Sequence, residues 1–111
     1  MQLKIYQENA IDKLLEETKS LLSYSGSKKL IFKAPTGSGK TIMMAEFLKD
    51  LAEDRDIKQQ FSFIWTAPRQ LHTQSKEKLE NYFEQSRALK CSYFEDLDDR
   101  KINENEILFF N

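Results

Sequence analysis

Apolar residues between positions 7 and 22 recur at three- and four-residue steps: Ala10, Ile11, Leu14, Leu15, Leu21 and Leu22. That spacing follows one face of a helix, and Glu8, Asp12, Lys13, Glu16, Glu17 and Lys19 occupy the remaining positions. The pattern predicts an N-terminal amphipathic helix over Gln7 to Leu22, ended by the breaker cluster Ser23-Tyr24-Ser25-Gly26-Ser27. The period then changes. Leu30-Ile31-Phe32-Lys33-Ala34 is a short apolar run rich in strand formers, cut off by Pro35, Gly37 and Gly39, and it predicts a buried strand entering a glycine loop.

Helical spacing resumes at Lys40, with Met44, Phe47, Leu48, Leu51 and Ala52 on one face as far as Glu53-Asp54-Arg55-Asp56. Phe61 to Thr66 predicts a second strand, closed by Ala67-Pro68 and followed by a polar helix carrying Leu71, Leu79, Tyr82 and Phe83. A short strand is expected over Lys90 to Phe94 and a stronger one over Glu106 to Phe110, with the acidic stretch Glu95 to Asp99 between them. Strands alternating with helices predict an α/β fold with a mostly parallel sheet and flanking helices. Right-handed crossovers place the loops after the strands along one sheet edge, where ligands of open α/β folds bind. The last apolar run has no helix after it to cover it, so the chain is expected to be the N-terminal part of a longer protein.

The chain has 111 residues, enough for one domain with a modest core, and its 40% hydrophobic and 32% charged residues mark a globular sequence. A net charge of -1 supplies no global attraction to nucleic acid or anionic lipid, so any such contact must be local. Cys91 is the single cysteine; it cannot form an internal disulfide, and it reads as a small buried apolar residue. No uninterrupted apolar run exceeds four residues, far short of the roughly 20 that span a bilayer, and Met1 to Glu8 lacks a basic start followed by an apolar stretch, so no secretory leader is expected. No membrane partner and a cytoplasmic location are expected.

Chemistry concentrates in Ala34-Pro35-Thr36-Gly37-Ser38-Gly39-Lys40-Thr41, which fits the phosphate-loop pattern with Ala at its first position. Glycines let the backbone curl around an anion, so the N–H groups of Gly37, Ser38, Gly39, Lys40 and Thr41 can point at phosphate oxygens. The positive end of the following helix adds to the attraction. Lys40 then reaches the outer phosphates as the candidate catalytic residue, and the Thr41 hydroxyl is placed to ligate Mg²⁺. A nucleoside triphosphate with Mg²⁺ is therefore the expected ligand of this loop. Hydrolysis also needs an acidic residue at the end of another strand, and neither Ile64-Trp65-Thr66 nor Leu108-Phe109-Phe110-Asn111 supplies one. Glu95 to Asp99 lacks an apolar lead-in and reads as a solvated loop.

Three stretches resemble the DEAD/DEAH-like helicases of superfamily two, closest to the motor subunit of type III restriction enzymes. Ile5-Tyr6-Gln7-Glu8-Asn9-Ala10-Ile11 is similar to the family's segment in which a glutamine recognises adenine. The phosphate loop carries the family's Pro-Thr-Gly-Ser-Gly wording at positions 35–39, which adds Thr36 to the nucleotide-binding set. Thr66-Ala67-Pro68-Arg69-Gln70-Leu71-His72-Thr73-Gln74 is similar to the next motif, whose loop touches the nucleic-acid backbone; its proline-arginine spacing is that of the restriction subunit. Glu106 to Asn111 looks like the strand before the family's acidic motif.

The resemblance implies a partial RecA-like phosphate-loop domain over residues 1–111, with an adenine-side helix and turn at 1–29 and the start of the βα core at 30–111. It further implies ATP as the nucleotide cofactor, with Mg²⁺, Gln7 as an adenine ligand, and Pro68, Arg69 and Gln74 as nucleic-acid contacts. Expected partners are DNA in preference to RNA, the rest of the motor, and a modification subunit. Uncovered strand surface makes self-association a further expectation. Without the acidic motif, the chain alone is expected not to hydrolyse ATP efficiently. Two other readings of the loop stand beside this one: a phosphate-loop kinase or related transferase, and a non-catalytic nucleotide-binding or interaction module.

Overall fold

The computed structural model describes residues 3–24, 26, 30–32, 39–54, 61–67, 69–84 and 89–110. Among these residues three α-helices and three strands follow one another as α1 (Ile5–Leu22), α2 (Lys40–Glu53), β1 (Phe63–Thr66), α3 (Leu71–Phe83), β2 (Lys90–Ser92) and β3 (Glu106–Phe110). The strands form one parallel sheet in the order β1-β3-β2. This is the predicted α/β architecture, compatible with part of a RecA-like domain.

Side chains alternate across the sheet, and the register sorts them. Phe63 pairs with Ile107, Trp65 with Phe109 and Cys91 with Ile107, so these five residues share one face. The helices cover that face: Ile11 and Leu14 of α1, Met43, Ala45, Phe47, Leu48 and Leu51 of α2, and Leu79 and Phe83 of α3 join Ile107 and Phe109 in one core. Trp65 stacks on Phe109 at 5.8 Å between ring centroids, which makes it a core residue as its strand position predicts. Cys91 packs against the same core, and burial pushes its thiol up to about 12. A thiol held that far above neutrality is unreactive, in keeping with its reading as a packing residue.

β3 is central because it can pair on both sides, and the turn before it sets the register. Asn105 adopts left-handed backbone with φ 59°, a conformation asparagine tolerates better than most residues. Its N–H donates to the Phe61 carbonyl at 2.8 Å, and its own carbonyl accepts from the Lys90 N–H at 2.9 Å. One residue thus ties the lead-in of β1 to the start of β2. Beside it, the Glu106 side chain is buried on the second face of the sheet. Its carboxylate accepts from the Ser92 hydroxyl at 2.6 Å and the Asn103 N–H at 2.8 Å, with the Lys90 ammonium 3.8 Å away.

α1 and α2 run side by side in the same direction. They begin together, where Gln7 meets Gly39, and close together, where the Lys19 ammonium pairs with Asp54 at 2.5 Å. The ends of α1 agree with its apolar period to within two residues. α2 buries a wider arc than predicted, adding Met43 and Ala45, because it packs on both α1 and α3.

Two expectations are corrected. Residues 30–32 are not in a strand, and Leu30 and Ile31 are 44% and 80% exposed. β3 already has a neighbour on each side, so a strand there could add only at an outer edge; apolar composition without such a ladder does not make one. Leu71 is also exposed, since the first turn of α3 projects beyond the core that Leu79 and Phe83 enter.

Candidate functional site

The described part of the phosphate loop is its last three residues, where the loop becomes α2. Gly39 is the N-cap, with left-handed backbone at φ 83° and ψ 35°. Glycine is the residue type that takes this conformation without strain. Its carbonyl accepts the Met43 N–H at 2.9 Å, which closes the first helical turn. Among the described residues no side chain caps the helix, and its first turn holds no acidic residue. The first N–H groups of α2 therefore keep their partial positive charge directed out of the helix, which suits an anion. Lys40 opens the helix with an exposed side chain, and Thr41 beside it is half-buried. Thr36, Gly37 and Ser38 lie outside the described residues, as does Pro68.

Gln7 is brought to this point from the other helix. Although an amide at the start of a helix is usually solvated, Gln7 is only 9% exposed. Its Oε1 accepts the Lys4 N–H at 2.9 Å, a reach-back that fixes the side-chain rotamer at the N-terminus of α1. Its Nε2 lies against Gly39 so closely that a Cβ built on the glycine would stand 2.5 Å from it. The site thus has a second reason for glycine at position 39 besides its φ. Tyr6, next in the chain, is half-exposed. The group of residues present suits a bound nucleotide: a cradle that a Cβ would fill, a cation and a hydroxyl at a helix start, and an amide at its side.

Arg69 sits in the next loop, which joins the C-terminal end of β1 to α3, and Gln74 follows it in the first turns of α3. Arg69 and Gln70 both have left-handed backbone, with φ 55° and 61°. Two consecutive non-glycine residues in that region cost about 1–3 kcal/mol each, and such strain persists where surroundings impose it. The Ala67 N–H bonds to the Phe110 carbonyl at 3.2 Å, and the Gln70 carbonyl accepts from both the Thr73 N–H and the Thr73 hydroxyl. These contacts hold the turn from both sides and leave Arg69 and Gln74 exposed at the sheet edge. Sequence spacing locates this loop but carries no signal for its backbone conformation.

Farther along α3, His72 meets the Tyr93 ring edge-on at 6.0 Å, and the Lys76 ammonium lies 4.5 Å over the same ring. Lys76 also pairs with Glu80 at 3.0 Å, so it is a packing and pairing residue rather than a free surface cation. Glu95, Asp96, Asp98 and Asp99 are exposed on two 3-10 turns. Among the described residues, no group of three or more His, Cys, Asp or Glu stands together to hold a metal ion. No helix among the described residues is long and apolar enough to cross a membrane.

A family model described as the type III restriction enzyme, res subunit, matches residues 1–111. No curated protein and no solved structure matches the chain.

Proposed function

Because the chain belongs to the type III restriction enzyme res subunit family, whose members are helicase-like ATPases, we propose that it binds ATP·Mg²⁺ for a DNA-translocating motor. The observation that carries this reading is the meeting of Gln7 with Gly39 at the shared start of α1 and α2. It sets an amide able to read a base beside a helix terminus able to hold phosphates. The same meeting supports the motor over a phosphate-loop kinase or transferase, because the loop alone explains neither the preceding helix nor its buried glutamine.

In this reading Gly39, Lys40 and Thr41 hold the phosphates together with Thr36, Gly37 and Ser38. The Lys40 ammonium neutralises the outer phosphates, and the Thr41 hydroxyl is a ligand for Mg²⁺. Magnesium supplies charge neutralisation of the phosphates when bound. Gln7 selects adenine through its amide. Arg69 and Gln74, with Pro68, contact the DNA backbone, a local contact in keeping with a net charge of -1. The remaining motor and a modification subunit are the proposed protein partners, and the cytoplasm is the proposed location.

β1, β2 and β3 end in Thr66, Ser92 and Phe110, none of which is an acid that could organise Mg²⁺ and water. Nucleotide binding without efficient turnover is therefore the activity proposed for these residues by themselves. Titration calorimetry with ATP·Mg²⁺ tests it: Lys40→Ala is expected to weaken binding by at least about tenfold, the loss of one charge-assisted phosphate contact. Equal affinity in the wild type and the variant overturns the reading.

A further inference from the structure

Lysine is almost never buried unless its charge is met, yet the Lys76 side chain is only 11% exposed. Its ammonium pairs with Glu80 at 3.0 Å and lies 4.5 Å over the Tyr93 ring. One turn earlier on the same stripe of α3, His72 meets that ring nearly at right angles, with 6.0 Å between centroids. Among the described residues the His72 Nδ1 is buried and has no hydrogen-bond partner, so contact with the ring, not a bond at that nitrogen, holds the imidazole. Tyr93 is thus clasped from two successive turns of α3, by a cation over its face and by a second ring. It follows β2 directly, and its N–H donates to the Asp96 carboxylate at 3.1 Å, which fixes the backbone at the strand exit.

The strands are parallel, so the exit of β2 lies on the same sheet edge as the start of α3. Directly before His72 in the chain, Arg69 and Gln70 hold their left-handed backbone, which two non-glycine residues keep only where neighbours impose it. Thr73 ties the Gln70 carbonyl to α3, and that tie restrains the turn only if the start of α3 is itself fixed. The core residues of α3, Leu79 and Phe83, belong to its far half, and Leu71 projects into solvent. The Tyr93 clasp anchors the near half.

We infer that Tyr93 is a positioning residue for the nucleic-acid loop: gripped by His72 and Lys76, it fixes the first turns of α3 and so presets the left-handed turn that presents Arg69. The inference rests on the reading of Arg69 as a DNA-backbone contact and deepens it, because affinity then depends on a ring that touches no phosphate. Preorganising the turn removes an ordering cost that binding must otherwise meet.

Fluorescence anisotropy of a labelled DNA duplex, titrated with the full chain at several salt concentrations, tests it. Arg69→Ala is expected to weaken binding and to reduce the salt slope by about one, the loss of one phosphate contact. Tyr93→Ala is expected to weaken binding about tenfold with a similar change in slope, and to add little in the Arg69→Ala background, since the ring acts through that arginine. Tyr93→Phe keeps the ring between His72 and Lys76 and is expected to bind within about twofold of the wild type. A Tyr93→Ala variant that binds as the wild type does, or whose loss adds in full to that of Arg69→Ala, overturns the inference and leaves the DNA contact standing. A wild type that binds no duplex, or an Arg69→Ala variant of unchanged affinity, removes the DNA reading itself, and the inference with it, before Tyr93 is altered. Should Tyr93→Ala not fold, Lys76→Met replaces it: the apolar stem stays and the charge over the ring goes. Binding about threefold weaker is expected there, and unchanged affinity overturns the clasp equally.

Discussion

Asp50 shows how one side chain can oppose the fold at neutral pH. It lies on α2 one turn after Glu46, and its carboxyl is raised from 3.8 to about 6 by burial first, then by the charge and hydrogen bond of Glu46, with Glu53 adding and Lys49 opposing. Tyr82 of α3 donates its hydroxyl to the same Glu46 carboxylate, so the cluster spans the α2–α3 seam. A group whose folded pKa is raised contributes stability that is complete below about 3.8 and is lost as pH rises through about 6. Ionised Asp50 is thus a strained charge at pH 7. Asp50→Asn is expected to raise Tm at pH 7 by about 2–4 °C, a value reduced for the solvent that reaches this half-buried site. It should also flatten the fall in stability between pH 4 and pH 6; a thermal melt series in which the variant and wild type run parallel sinks the assignment.

Glu106 is the opposite case and belongs to its strand. Burial by itself raises its pKa, but the Asn103 N–H, the Ser92 hydroxyl and the Lys90 ammonium outweigh that and hold it below its ordinary 4.5. The lowered folded pKa means that its contribution is present above about 4.5 and is lost as pH falls beneath its folded value. The three partners come from β2 and from the turn before β3, so the carboxylate fixes the parallel register of Lys90 with Glu106 and Ser92 with Leu108. Glu106→Ala leaves the buried Ser92 hydroxyl and the part-buried Asn103 N–H without their acceptor and is expected to cost about 1–3 kcal/mol in urea unfolding. Glu106→Gln keeps one acceptor and should cost less. Equal losses in the two variants would show that shape, not the carboxylate, holds the register.

The same contrast separates what periodicity could tell from what it could not. α1, α2, α3, β1 and β3 each carry an apolar repeat of their own, and each lies close to its predicted place. Residues 30–32 carry the same kind of signal, yet they form no strand, because a strand also needs a neighbour and that is a property of the sheet. In the candidate site, the phosphate-loop spacing points to Gly39, Lys40 and Thr41 directly. That Gln7 is buried against Gly39, and that Arg69 and Gln70 are both left-handed, depends on contacts between segments distant in the chain. Glu106 reads as an ordinary strand-start acid until Ser92 and Asn103 are placed beside it.

At the scale of the whole molecule, the helices gather on one face of the sheet and leave apolar side chains on the other. Ile64 of β1 is 63% exposed and Phe110 of β3 is 50% exposed. Their register partners Leu108 and Thr66 place them on the face opposite Phe63 and Trp65. Among the described residues β1 is an edge strand, so its outer backbone groups add an unpaired ladder to that apolar surface. Exposed edges and contiguous apolar patches both favour association between copies. The 111-residue chain is expected to sediment as a concentration-dependent mixture at micromolar levels and above. Ile64→Lys places a charge on the exposed face without touching the core, and should shift that mixture toward monomer while leaving Tm within about 1 °C, as for a surface substitution. Trp65 points into the core and makes the control: changing it should lower Tm whatever the concentration. Sedimentation that is independent of concentration in the wild type, or unchanged in Ile64→Lys, would show that this sheet face does not drive association.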